Sequence, residues 1–504
     1  MTSTVFTDRV TPIMASWLND VNTATYFKTL YIAQSTDTAS TINAALLIYP
    51  GIVFKSGVTY NIAGDVSIPS NCKIVVEKGA TVINTGGRFT ADTVNNVEWL
   101  IDGVVKSVSM SLAAAKPLWT AETPAPRGFI EFGYNYSAGT AGSGFWVHGT
   151  GVVCGDWTGT PNYSDATNQT NRKGIATWNS KNVLVEGLEV YGFHGEAIYA
   201  SVFDTASHNI VFRNNNVHDT RFSALNFNSG ANGGKCAIIN NRAYNAYQIE
   251  TSIGECSNNY IENMVGFGIY TGSGAGYGPI YIKDNIIKNC GSAAAPHGII
   301  AAFGSGTPVT DVCISGNTVI NPYGYGIYTD YCRDLIIKNN TCVGTGQSMG
   351  SYDIGVFHAL RCSVSDNTFL SPGTFAQAGR VGIDTVSYDV SINPDTNVYL
   401  ATTGTATPKT GNGVQTVASA TALPIPALGS IFSVTGTTTI TSITSPISNT
   451  NNDGREITLI FTSALTFTDG NNLKLAGNLV TTADDTITLV CDGTNWYEKS
   501  RSVN

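Results

Sequence analysis

The sequence predicts an all-β chain, a right-handed single-stranded parallel β-helix in which short strands stack coil on coil. Three observations predict it: a charge-poor, glycine-rich composition, a recurring asparagine motif, and a second short strand after each copy of that motif. Charged residues make up 12% of the chain, which carries 53 glycines in 504 residues; the usual charged share is about 25%. That balance is too apolar for a disordered chain and too rich in glycine for a helix bundle.

The motif is an apolar residue, two residues, Asn, one residue, then a second apolar residue. It occurs as "FRNNNV" (212–217), "IINNRA" (238–243), "CSNNYI" (256–261), "IKDNII" (282–287), "ISGNTV" (314–319), "IKNNTC" (337–342) and "VSDNTF" (364–369). An upstream copy, "VEGLEV" (185–190), has Leu188 in place of the Asn. The second strand reads "AIYA" (197–200), "ALNF" (224–227), "QIET" (248–251), "GIYT" (268–271), "GIIA" (298–301), "GIYT" (326–329), "GVFH" (355–358) and "GIDT" (382–385). A variable period with constant strand texture is what a solenoid with tolerant loops produces. The repeated Asn is expected to form a ladder within one turn, each amide bonding the next, and to accept the left-handed backbone of a sharp corner.

In chain order, residues 1–34 are expected to stand before the β-helix as a short N-terminal segment. The β-helix spans 35–388, starting with "VFKSGVTYNI" (53–62), "CKIVVEKGATVI" (72–83), "NVEWLIDGVV" (96–105) and "GFWVHGTGVVCGDW" (144–157). "AETPAPRG" (121–128) and the polar run 158–173 read as protruding loops. A Thr-, Ser- and Pro-rich linker follows at 389–427, and 428–504 is expected to be a C-terminal β-sandwich-like domain that clamps chains together.

The net charge of -9, from 27 basic and 36 acidic residues without a basic cluster, argues against a nucleic-acid partner. The N-terminus lacks a charged start followed by an apolar core, so no secretory signal is expected. The apolar run "AALLIYPGIVF" is broken by Pro50 and is too short for a membrane span. Ten scattered cysteines without CxxC pairs read as small buried hydrophobes of a protein made in a reducing cytosol. No metal-ligand spacing or mononucleotide motif occurs; "GSGAG" (272–276) lacks a following helix. Neither a metal nor a cofactor is expected.

By alternation, the second strands turn their Ile residues inward and the next residue outward. The outward column then reads Ala176, Tyr199, Asn226, Glu250, Tyr270, Ile300, Tyr328, Phe357, Asp384. Two residues before most of these lies Gly or Ala. A shallow trench is therefore expected, floored by small residues and walled by rings suited to the apolar faces of a polysaccharide. Trp178, Tyr199, Asn226, Tyr270 and Tyr328 are the candidate substrate-binding residues.

Glu250, Glu196 and Asp330 are the candidate catalytic acids, with His218 and Asp219 as further candidates. Glu196 and Glu250 lie two coils apart, roughly 9.6 Å along the axis. That approaches the separation of about 6.5–9.5 Å at which an inverting glycosidase admits water. A lyase would need a Lys, Arg or His base beside a uronic acid. His194, His297 and His358 lie near second strands, and hydrolysis is the preferred reading. Phe357 and Ile300, read as outward, suggest a three-fold interface.

The two ends add a resemblance. "MTSTVFTDRVTPIMASWLNDVNTATYF", with its "WLNDVN" core, resembles the attachment segment of tailed-phage tail fibres and tailspikes. "STDTASTINAALL" before "IVFKSGVTYNI" looks like the N-terminal cap of phage and pectinase-type β-helices. "LTFTDGNNLKLAGNLVTTADDTITLVCDGTNWYEKSRSVN" is similar to the C-terminal β domain of podophage tailspikes. The resemblance implies a homotrimeric virion protein, made in the host cytoplasm and joined to the tail or an adaptor protein through its N-terminus. It would bind, and usually depolymerise, bacterial capsule or O-antigen. No catalytic motif of that family is matched residue by residue, so the site residues rest on the trench alone. The alternatives are a polysaccharide lyase on the same fold, a non-enzymatic receptor-binding spike, and a secreted plant-polysaccharide hydrolase.

Overall fold

A computed structural model describes residues 30–109, 128–133, 142–162, 172–202, 208–229, 236–252, 254–272, 279–303, 309–347, 352–372, 379–383, 387–392, 398–400, 414–426, 430–444 and 454–503. Residues 1–300 with 316–324 form one unit, and 301–315 with 325–504 form the other. Among the described residues, three long sheets of parallel strands, numbering 14, 13 and 12, make the right-handed β-helix.

In the first unit, the helix Ala39–Leu46 opens on a capping box: Thr38 Oγ1 accepts the Thr41 N–H, and Thr41 Oγ1 accepts the Thr38 N–H. Its buried face, Ala39, Ile42, Ala45 and Leu46, follows the helical period. It packs beside strands Gly51–Phe54 and Val66–Ser67. Each later coil contributes one strand to each sheet, as in Lys181–Glu186, Glu189–Tyr191 and Ile198–Val202. On the third sheet Ile175, Ile198, Leu225, Ile249 and Ile269 align in register and are buried. The inward column expected from alternation is therefore present.

The asparagine ladder is also present. Asn215 Nδ2 donates to Asn241 Oδ1 at 3.0 Å, Asn241 to Asn259 at 3.0 Å, Asn259 to Asn285 at 2.9 Å and Asn285 to Asn317 at 2.9 Å. In the second unit Asn340 donates to Asn367 at 3.0 Å. Each amide also serves the backbone: Asn259 donates to Ile238 O, and its Oδ1 accepts the Asn241 N–H. Where Leu188 interrupts the pattern, its backbone N–H donates to Asn215 Oδ1, which closes the row. One expectation is corrected: the ladder residues themselves are not left-handed. The residue before each one takes that conformation, namely Asn214, Asn240, Asn258, Asp284, Gly316, Asn339 and Asp366, with φ between 55° and 69°. The two tasks fall to two neighbours, because a side chain aimed inward along the ladder needs ordinary backbone beneath it.

In the first unit, ladder partners are separated by 26, 18, 26 and 32 residues, yet the amide–amide distance holds at 2.9–3.0 Å. Coil length varies while axial spacing does not. All ten cysteines are free, nine of them buried, and burial pushes the thiols of Cys72, Cys236, Cys256 and Cys290 up to about 12.

The second unit carries further coils and a separate six-stranded sheet. That sheet has its own core, including Phe432, Ile457, Phe461, Phe467, Leu489 and Trp496. Its edge strand Gln415–Ala418 comes from the stretch read as linker, as does Ala422–Pro424, which pairs with Ser442–Thr444 in a separate two-stranded sheet. Tyr388–Ile392 and Val398–Leu400 continue the β-helix sheets past residue 388. At the other end, Tyr31–Ile32 already pairs with Ile52–Val53, whereas residues 1–29 of the attachment segment lie outside the described residues.

Asn259→Ala should remove the acceptor of the Asn241 backbone N–H and a partner of Asn285, lowering stability by about 2–3 kcal/mol. Asn258→Gly, which keeps the left-handed corner, should cost less than about 1 kcal/mol. Thermal unfolding midpoints of the two variants check the difference.

Candidate functional site

On the third sheet of the first unit, the outward column expected from sequence aligns in register: Ala176, Tyr199, Asn226, Glu250, Tyr270. It extends upstream to Glu131 and Thr90. Glu131 was missed, although "IEF" (130–132) repeats the inward-Ile, outward-Glu order of Ile249 and Glu250. It is fully buried, accepts the Gly128 N–H at 2.7 Å, and lies 3.5 Å from Arg88 Nη1.

Lys173, placed by sequence in a loop, begins strand Lys173–Trp178 instead. It is 2% exposed, and its Nζ donates to Glu196 and stands 3.9 Å from the centre of the Tyr199 ring. Burial lowers the Lys173 pKa, opposed by the charge and hydrogen bond of Glu196 and by the charge of Glu250. The ammonium thus sits within the electrostatic reach of both carboxylates. Glu250 Oε2 accepts from Asn226 Nδ2 at 2.9 Å and faces Gln248 Nε2 at 3.4 Å. Gln248 occupies the row expected to hold mostly Gly or Ala. Glu196 precedes the coil of Ile198, and Glu250 follows Ile249 two coils on, so the expected axial offset of these acids stands.

The open wall does not stand. Trp178, Tyr199 and Asn226 are 5–6% exposed. Trp178 and Tyr199 pack on one another at 5.0 Å over Ala176, and Lys173 covers the tyrosine ring. Ile300 is buried too, so it contributes nothing to an exposed interface. The small residues answer to packing rather than to a ligand. A Cβ on Gly174 would lie 2.4 Å from Ala197 O, and one on Gly268 2.6 Å from Gly298 O. Tyr270 remains half-buried, stacked on Phe267 at 5.6 Å, with His297 beyond at 5.8 Å from Phe267. Burial alone depresses the His297 pKa to about 3.

The remaining candidates belong elsewhere. His218 lies on the second sheet, stacked between Tyr191 and Tyr244 at 4.9 and 4.7 Å. Its ring nitrogens face Asp219 Oδ2 at 2.8 Å and Glu189 Oε1 at 3.0 Å, a structural clamp rather than part of the acid strip. Asp330 and Tyr328 form a cluster within the second unit. Asp330 Oδ1 faces His358 Nδ1 at 2.8 Å, and Oδ2 accepts from the Tyr328 hydroxyl at 3.4 Å. Tyr328 stacks on Phe357 at 5.0 Å and meets Tyr325 edge-on at 5.4 Å. Asp384 lies outside the described residues.

The family described as a right-handed β-helix region matches residues 224–397, less than half of the chain. Comparison with curated proteins returns no match. Among solved structures, the tailspike protein of E. coli bacteriophage HK620 in complex with pentasaccharide is similar at 13% identity and TM-score 0.47, covering 92% of this chain and 81% of that one. The Azotobacter vinelandii mannuronan C-5 epimerase AlgE6 A-module is 11% identical at TM-score 0.42, covering 75% and 97%. PfbA, a surface adhesin of Streptococcus pneumoniae, is 12% identical at TM-score 0.42, covering 94% and 99%. None of these likenesses carries an argument about activity.

The His297 environment yields a sign-definite expectation. Its folded pKa, about 3, lies below the ordinary 6.5. Its contribution is therefore full above the unfolded value and is lost as pH falls toward the folded one. By pH 4.5 that loss should reach about 3 kcal/mol. His297→Phe, which can keep the stack on Phe267, should flatten that part of the acid limb when denaturation midpoints are compared across pH.

Proposed function

We propose that this chain is a tailspike of a tailed phage. It is a homotrimeric virion protein, made in the host cytoplasm, that joins the tail or an adaptor through its N-terminus. It binds host capsule or O-antigen polysaccharide and depolymerises it by glycosidic hydrolysis. The observation that carries the chemistry is the acid pair Glu196 and Glu250, two coils apart, with Lys173 between them in charge. The end segments and the β-helix that carries the pair support the biological setting.

The two acids are assigned the two roles of an inverting pair. Glu196, paired with the Lys173 ammonium, is assigned the base that takes a proton from water. Glu250, which accepts from the Asn226 amide at Oε2, is assigned the acid that protonates the leaving group. Water attacks the anomeric carbon, the glycosidic C–O bond breaks, Glu196 accepts the water proton and Glu250 supplies one to the departing oxygen. The axial offset of about 9.6 Å favours inversion.

A second reading has its own observation. A buried lysine with a lowered pKa beside a carbohydrate strip suits the base of a lyase. Incubation with a panel of capsular and O-antigen polysaccharides, followed by product sizing, separates these possibilities. Saturated products with new reducing ends support hydrolysis, unsaturated uronate ends support elimination, and binding without shorter products supports a receptor-binding spike. Glu250→Gln should lower turnover by about 10²–10⁴-fold while the trimer and glycan binding persist. Full activity in that variant would remove Glu250 from the mechanism.

A further inference from the structure

Beside the acid strip, at the start of the same coils, lies a group of cationic side chains formed by Arg172, His194 and Arg221. Arg172 precedes Lys173, and the Gly195 N–H, between His194 and Glu196, donates to the Arg172 carbonyl at 2.8 Å. The Arg221 N–H donates to Phe193 O at 3.0 Å, and the Arg221 charge acts on His194. Arg221 is 5% exposed, with its guanidinium 5.2 Å from the Phe222 ring. Arg172 Nε is buried without a hydrogen-bond partner among the described residues.

The carboxylate facing the group, Asp156, is already engaged: Oδ2 accepts the Ser109 N–H at 2.8 Å, and Oδ1 stands 3.5 Å from His194 Nε2. Burial lowers the Arg172 pKa, opposed by Asp156. Burial also lowers that of His194, followed by the charge of Arg172, with Asp156 opposing and Arg221 adding to the shift. A desolvated guanidinium whose Nε–H has no partner among the described residues is costly unless an anion completes it, and its planar fork matches a carboxylate.

We propose that Arg172, Arg221 and His194 form a subsite for the carboxylate of an acidic sugar, so that the polysaccharide taken by the strip is anionic. The inference rests on the polysaccharide reading above and names its substrate class. Anchoring an acidic residue here would place the adjoining sugar next to Glu196, because the anion site and that acid are two residues apart on one segment.

The test follows the His194 ring by NMR titration of the full chain carrying labelled histidine, assigned with a His194→Gln sample. The groups facing that ring are Asp156, Arg172 and Arg221. The probes are sodium galacturonate, inorganic phosphate and galactose, matched in ionic strength with sodium chloride. An anion between the guanidiniums should raise the His194 midpoint by about one pH unit. Galacturonate is expected to do so, galactose and chloride are not, and Arg172→Gln should abolish the response while Arg172→Lys keeps part of it. No response to galacturonate, or an equal response in Arg172→Gln, overturns the subsite. A response to phosphate alone overturns the sugar-carboxylate assignment. Either failure leaves hydrolysis of a neutral glycan by Glu196 and Glu250 standing. Failure of that hydrolysis leaves the titration result unaffected.

Discussion

Everything in the β-helix depends on the pairing of each coil with the next through parallel backbone hydrogen bonds. A single coil has no second layer to cover its strands, so neither its apolar side chains nor its backbone groups are satisfied alone. The strands Ile210–Arg213 and Cys236–Ile239 are only four residues long, and Glu189–Tyr191 only three. Strands this short hold their place because the coils on both sides hold the same register. The asparagine ladder adds a side-chain row to the backbone rows. It runs through the interior corner, where a carbonyl such as Phe212 O accepts from Asn241.

The same axial repetition explains how charge can be buried on the outer strip. Lys173 opens strand Lys173–Trp178 and Glu196 lies two residues before the adjacent strand Ile198–Val202, so stacking delivers each as the other's partner with little side-chain reach. Asn226 and Glu250 are register partners one coil further along, and their bond is again axial. Glu131 follows a different rule, since its close donor, the Gly128 N–H, comes from its own strand. Buried ionised groups are tolerable when such contacts are made. Polar function and fold therefore share a single device, the vertical neighbour.

Much of this was legible in the sequence, for a physical reason. Alternation in strands has period two, so the inward Ile198, Ile249 and Ile269 and the outward Tyr199, Glu250 and Tyr270 follow once the motif is recognised. The two-coil spacing of Glu196 and Glu250 follows equally. Depth of burial was not legible. Alternation says which face Trp178 and Tyr199 take, but their mutual packing and the cover from Lys173 are set by residues outside the pattern. Lys173 itself escaped notice because it adjoins a polar run that reads as loop. The glycines misled for a related reason: Gly174 and Gly268 are small because the next coil's carbonyls leave no room for a Cβ.

The unequal coils carry a last consequence. Successive ladder residues in the first unit are as few as 18 and as many as 32 positions apart, at the same amide spacing. Added residues therefore leave as excursions within the plane of one coil, at right angles to the direction of pairing. Such a chain can gain or lose a loop in any one coil without shifting its neighbours. Its surface can be rewritten segment by segment over a backbone whose pitch never changes.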